Sequence, residues 1–268
     1  MTTPKHVTGS IEIAKRFRGP HRSGNGGYTA GLLAARLLGD HAYAGGEAAT
    51  VTLRQPPPLD TPLDLVTVRE GRLRLLGEDG SVIAQVEGAS PLPEPPRAVE
   101  LTEAGAASLQ FRGRVDHPFP FCFSCGTDRP EHEALRLTPG PLPHRQDTVA
   151  TVWRPGEDFS AAAIPDGATA PDDKRVAVPA VWAALDCPGA WAANFDYGRP
   201  IVLGRITAAA YREIKVSGEY AVVGHCRSLE GRKALTATAI YDEHGSLLAA
   251  AEAIWLQVDP KTFAGLLA

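Results

Sequence analysis

The residues best suited to chemistry are few. Asp186 stands in PAVWAALDCPGAWAANF (179–195), an otherwise apolar run that reads as a helix. A carboxylate buried there must be hydrogen-bonded, ion-paired or raised in pKa. It can act as a structural cap or ion-pair partner, or as a base or nucleophile. Asn25-Gly26-Gly27 leads into a second apolar run, YTAGLLAARLLG (28–39). Glycines there permit a tight turn, and they also leave helix N-terminal N–H groups open to a carbonyl or an anion. Cys122 and Cys125 have the spacing Cys-x-x-Cys. A structural zinc site wants four ligands, and the usual second pair is missing; His117 and His132 fit no standard finger. A redox pair normally opens a helix in a βαβ context, which is absent. A structural turn is the favoured reading, with no metal. Cys187 has no histidine near it in sequence and reads as a small buried thiol. His225 alternates with strand residues and reads as packed or solvent-facing.

These residues need elements to position them. IEIAKRF (11–17) alternates like a half-buried strand, and GPHRSGNGG (19–27) is a loop. The first helix follows and closes at Gly39. A strand at 50–55, a proline-rich kink at 56–63 and three meander strands over 63–90 complete the first half. The second half has a strand at 148–153, a loop at 158–175, then the helix bearing Asp186. Pro179 suits that helix's first turn, and Pro188 predicts a kink or an early end. Four strands follow. The two halves thus share one element order. Residues 78–87 and 243–252 also match at five of ten positions with a constant offset of 165. Both observations point to an internal duplication.

Composition narrows the function classes. Hydrophobic residues are 44% and charged residues 22% of the 268, enough for a sizeable core. The net charge of -4 gives no electrostatic reason to expect nucleic acid or an anionic membrane as partner. No apolar run reaches the ~18 residues of a membrane span. With no apolar leader and cysteines read as reduced thiols, the expected location is cytoplasmic.

Several motifs, taken in order, resemble hotdog-fold acyl-CoA thioesterases. CFSCG (122–126) followed by ALRL (134–137), WAALDCPGAWA (182–192), GRIT (204–207) and YDEHGSLLAAAEAIW (241–255) resemble the phenylacetate-pathway type. GNGGYTAGLLAARL (24–37) resembles the helix start of double-hotdog members. The resemblance implies an α+β fold of two tandem hotdog modules, each a long helix wrapped by an antiparallel sheet. Their expected bounds are 1–100 and 121–268, with a linker at 101–120. It also implies no cofactor, and an acyl-CoA or acyl-carrier thioester as substrate. Further assembly of double-hotdog units into homo-oligomers is the family's habit.

The resemblance assigns roles residue by residue. Gly27, with Gly26, would polarise the thioester carbonyl, Asn25 would orient carbonyl or water, and Asp186 would be general base or nucleophile. Thr207 would help position water, and Tyr28 would contact substrate. The family's acid lies nine positions after the residue preceding Gly-Gly. Nine after Asn25 is Ala34, and nine before Asp186 is Ala177, followed by Val178 and Pro179. Each half lacks what the other keeps, so one composite site is expected and its mirror would be dead. Two other functions compete. A non-catalytic acyl-thioester-binding protein would keep the fold without turnover. A hotdog dehydratase or hydratase is disfavoured, because Asn25 occupies the place of that chemistry's histidine.

Overall fold

The computed structural model describes residues 7–89, 94–164, 173–193, 200–259 and 261. The strands of the first half are β1 (Val7–Ile11), β2 (Ala48–Leu53), β3 (Leu63–Arg69), β4 (Arg72–Leu76) and β5 (Val82–Ala89). Those of the second are β6 (Gly140–Pro141), β7 (Thr148–Trp153), β8 (Ile201–Ala210), β9 (Tyr220–Glu230), β10 (Lys233–Tyr241) and β11 (Leu247–Gln257). The α-helices are α1 (Gly26–Leu38), α2 (Leu101–Ser108) and α3 (Val178–Ala192). Antiparallel strands with helices laid on the sheet make this an α+β fold, as expected.

The strands form one 11-stranded sheet in the order β1-β3-β4-β5-β2-β8-β11-β10-β9-β7-β6. Apart from the two-residue β6 at one rim, the order is symmetric about the central β2–β8 pair, with five strands in each half. Each half puts the strand after its long helix at the centre and the strand before it towards the rim. Within the central pair, Val51 faces Ile206 and Thr50 faces Thr207. Val51 and Ile206 are fully buried. The threonines, one residue along in each strand, point to the opposite face, where their hydroxyls lie 2.8 Å apart. The hairpins leading into β5 and β11 repeat each other. Gly80 and Gly245 take φ of 76° and 75° at equivalent turn positions. The repeat seen in sequence at 78–87 and 243–252 is therefore also a repeat of backbone conformation.

Helices α1 and α3 cross on one face of the sheet. Asn25 caps α1, and Gly39, with φ 56°, ends it. Their close approach rests on two glycines. A Cβ on Gly27 would lie 2.5 Å from the Asp186 Cβ, and one on Gly31 would lie 2.5 Å from the Pro179 Cα. Every residue of α3 is buried. The helix passes through Pro188 to Ala192 rather than ending early. Losing one backbone bond is tolerated because the sheet clamps that turn. A Cβ on Gly224 of β9 would sit 2.4 Å from the Pro188 carbonyl oxygen, and one on Gly189 would sit 2.5 Å from the Thr236 hydroxyl.

Two other expectations change. The segment read as a strand at 11–17 splits into β1 and a 3-10 turn at Lys15–Phe17. The turn brings the Phe17 ring onto Tyr28 and its carbonyl to the Asn25 N–H. The segment read as a linker at 101–120 carries α2 on the far face of the sheet. Ala104 and Ala107 pack there on Ala150, Ala221 and Val223. Small residues on both sides let the helix lie flat: a Cβ on Gly140 would overlap the Ala107 carbonyl.

Candidate active site

The N-terminus of α1 meets the middle of α3 at Asp186. Asn25 works in two directions. Its Oδ1 accepts the Tyr28 N–H at 2.8 Å, closing the first turn of α1. Its Nδ2 donates to Asp186 Oδ2 at 2.9 Å. The Gly27 N–H donates to the same oxygen at 3.0 Å. One carboxylate oxygen is thus clamped by a residue pair 161 and 159 positions away in the chain. The other oxygen, Asp186 Oδ1, is buried and has no hydrogen-bond partner among the described residues. Asp186 is 2% exposed. Burial raises its pKa to about 7, helped by the neighbouring Cys122 sulfur and opposed by the Gly27 and Asn25 hydrogen bonds. A half-clamped carboxylate that titrates near neutrality is equipped to take a proton or to attack.

A cavity of about 330 Å³ opens at this carboxylate. Asn25 and Gly26 from α1, Asp186 and Cys187 from α3, and Leu53, Leu203 and Trp255 from the sheet line it. The exposed side chains of Arg54 and Arg232 line it too. A larger cavity, about 790 Å³, lies beside α2. Its arginines 136 and 154 are ion-paired with Glu131 and Glu219, and it holds no buried carboxylate, so the chemistry sits in the smaller one.

The structure places the sequence-derived candidates unequally. Asp186, Asn25, Gly26 and Gly27 come together. The role of Gly27 changes, because its N–H is used by the carboxylate. The Gly26 N–H has no bond to another described residue, and Gly26 lines the cavity. Tyr28 lies outside the cavity lining. It is 3% exposed, stacked on Phe17 at 3.9 Å and set edge-on to Phe123 at 5.4 Å. Being aromatic, it fills the core beneath the helix start. Thr207 faces away from the helices and hydrogen-bonds Thr50. It cannot reach Asp186 because strand side chains alternate, and Ile206 and Ala208 take the inward positions.

CFSCG forms a tight turn wedged between the halves. The Gly126 N–H bonds the Cys122 carbonyl, the Phe123 N–H bonds the Arg18 carbonyl, and the Ser124 hydroxyl donates to the Ala183 carbonyl. The turn carries Cys122 into the cavity wall, where its Sγ lies 3.7 Å from Asn25 Nδ2 and 3.7 Å from Cys187 Sγ. Cys122 was not expected at the site, and Cys187, a nucleophile only as a disfavoured alternative, was expected as a packed thiol. The signal was present, since Cys187 adjoins Asp186 and CFSCG is a recognisable motif, but their meeting depends on a contact 65 residues apart. The Cys122 thiol is pulled down, chiefly because the Cys125 and Cys187 thiols donate to it, and their own values are pushed up. His225 pairs with Thr148 at 3.0 Å, apart from the site.

No protein-family model matches the chain. No curated protein matches it either. Solved structures do. Acyl-CoA thioesterase II TesB2 from Mycobacterium marinum aligns over 94% of this chain and 93% of its own, with TM-score 0.58 and 15% identity. The tesB protein of Mycobacterium avium subspecies paratuberculosis aligns over 88% of each chain, with TM-score 0.53 and 15% identity. No helix among the described residues is long and apolar enough to cross a membrane. At this level of identity the likeness speaks to architecture alone, and in architecture the chain is similar along most of its length to these proteins named as thioesterase II and tesB.

Proposed function

We propose that the chain is an acyl-CoA thioesterase with a single working site where α1 and α3 cross. The observation that carries this is Asp186, a buried carboxylate in the cavity wall with one oxygen held by Asn25 and Gly27 and the other without a hydrogen-bond partner among the described residues. The near-symmetric sheet, five strands in each half apart from β6, supports a tandem hotdog, with modules 1–100 and 121–268 joined through 101–120. Ala34 and Pro179 occupy the mirror positions and offer neither a carboxylate nor a free N–H pair. That supports one composite site rather than two.

In the proposed reaction Asp186 Oδ1 accepts a proton from water as the water oxygen attacks the thioester carbonyl carbon. The charge that develops on the carbonyl oxygen meets the Gly26 N–H at the positive end of α1. The carbon–sulfur bond then breaks, and the departing thiolate takes up the proton from Asp186. Asn25 keeps the carboxylate oriented throughout. The guanidinium groups of Arg54 and Arg232 suit the phosphates of coenzyme A.

A panel of acyl-CoA substrates with free-thiol detection tests the proposal. Asp186→Asn and Asp186→Ala are each expected to slow release by ~10²–10⁴-fold, the usual worth of a positioned base. Full activity in Asp186→Asn would overturn the assignment. Tight acyl-CoA binding by the wild type with no thiol released would instead identify a binding protein.

A further inference from the structure

Cys122, Cys125 and Cys187 bring their sulfur atoms within 4.8 Å of one another, all buried. Two come from the CFSCG turn and the third from α3. We infer that these three thiols form a binding site for one thiophilic cation of the zinc class, set in the wall of the Asp186 cavity. This goes beyond thioester hydrolysis and does not depend on it.

The geometry fits a single cation. A tetrahedral zinc with bonds of ~2.3 Å holds its sulfurs ~3.8 Å apart. The Cys122–Cys187 separation is 3.7 Å. A disulfide would use two of these sulfurs and strand the third. The turn is held firmly enough to present its sulfurs. A Cβ on Gly126 would lie 2.5 Å from the Cys122 carbonyl oxygen, and the Ser124 hydroxyl ties the turn to α3 at 2.7 Å. His117, the nearest imidazole to the turn, is not the fourth ligand. Its Nδ1 accepts the Phe119 N–H at 2.9 Å, which leaves Nε2 as the donor to the Cys125 carbonyl at 3.0 Å. Cys122 and Cys187 line the cavity whereas Cys125 does not, so the fourth coordination position faces the cavity. An exogenous ligand or water would fill it, as in three-ligand zinc sites.

The full chain, reduced and titrated with Cd²⁺ as an optical stand-in for Zn²⁺, tests the inference. The expected result is a sulfur-to-cadmium charge-transfer absorption that saturates at one cation per chain and is displaced by Zn²⁺. It should be lost in Cys122→Ala, Cys125→Ala and Cys187→Ala and kept in Cys226→Ala. Because a buried cysteine variant could unfold, the wild type gives a second readout. Zn²⁺ should slow alkylation of Cys122, Cys125 and Cys187 relative to the metal-free chain and leave the rate at Cys226 unchanged. No absorption change, saturation without the Cys125 dependence, or protection of fewer than three thiols overturns it. All of these readouts are independent of acyl-CoA turnover, so failure here leaves the proposed hydrolase intact, and the reverse.

Discussion

At the residue scale Asp186 is the one buried carboxylate among the described residues, and it is the group on which the proposed function turns. Its carboxyl is held well above the ordinary carboxylate range, at about 7. The folded state therefore binds the proton more tightly than the unfolded state does. Stability is greatest below the unfolded value and declines as pH rises through about 7. Asp186→Asn is expected to flatten that decline, and at pH 8 to be more stable than wild type by on the order of 2–4 kcal/mol. Denaturant titrations of both proteins across pH would show it; parallel curves would contradict it. Activity has the opposite sign, because the base must be ionised. kcat/KM for an acyl-CoA is expected to climb with pH through a single ionisation near 7. Thr207→Ala is expected to leave kcat/KM within about twofold, because the half-buried Thr207 faces away from the site. Asp186, Asn25 and the glycines were legible because a charge in an apolar helix and a Gly-Gly helix start are local signals. Thr207 was not, because a one-residue shift along a strand exchanges its faces, and spacing alone does not fix parity. The thiol cluster was hidden for a different reason: its third member arrives from a distant helix.

At the element scale the crossing of α1 over α3 decides whether the site exists. Gly27 serves twice, giving its N–H to Asp186 and leaving room for it. Gly27→Ala is expected to destabilise by about 3 kcal/mol, since the clash is with backbone as well as side chain. It should also lower thiol release more than Gly31→Ala, which meets Pro179 one turn further on and away from the carboxylate. Melting curves and the release assay, run on both variants, separate the two effects. The helices and most strands were readable from periodicity. What sequence could not supply was the passage of α3 through Pro188, which local propensity forbids and tertiary packing restores. Nor could it supply α2, whose short alanine-rich turn pattern reads as connector until the alanine face of β7 and β9 lies beneath it.

At the scale of the whole molecule the two halves form one continuous sheet, joined edge to edge at β2 and β8. Residues 1–89 alone would leave the β2 edge unpaired and the inner face of α1 bare. That fragment is expected to aggregate or to stay largely unfolded by circular dichroism. Co-expression of 1–89 with 94–268 is expected to restore Asp186-dependent thiol release. A well-folded monomeric 1–89 would show that the seam is dispensable. The element order was visible in the sequence and pointed to two repeats; the pairing of β2 with β8 that fuses them was not, since nothing local marks which edges meet.

The position of the cavity also ties ligand affinity to thermal stability. Its walls draw on both halves, and Asn25 and Asp186 cross the join. A molecule that settles there touches both sides at once, so its binding free energy adds to the docking of one half on the other. Saturation at a hundred times Kd contributes about 2.7 kcal/mol. Acyl-CoA chain length can thus be ranked by the rise in Tm of the Asp186→Asn protein, which holds its ligand without consuming it.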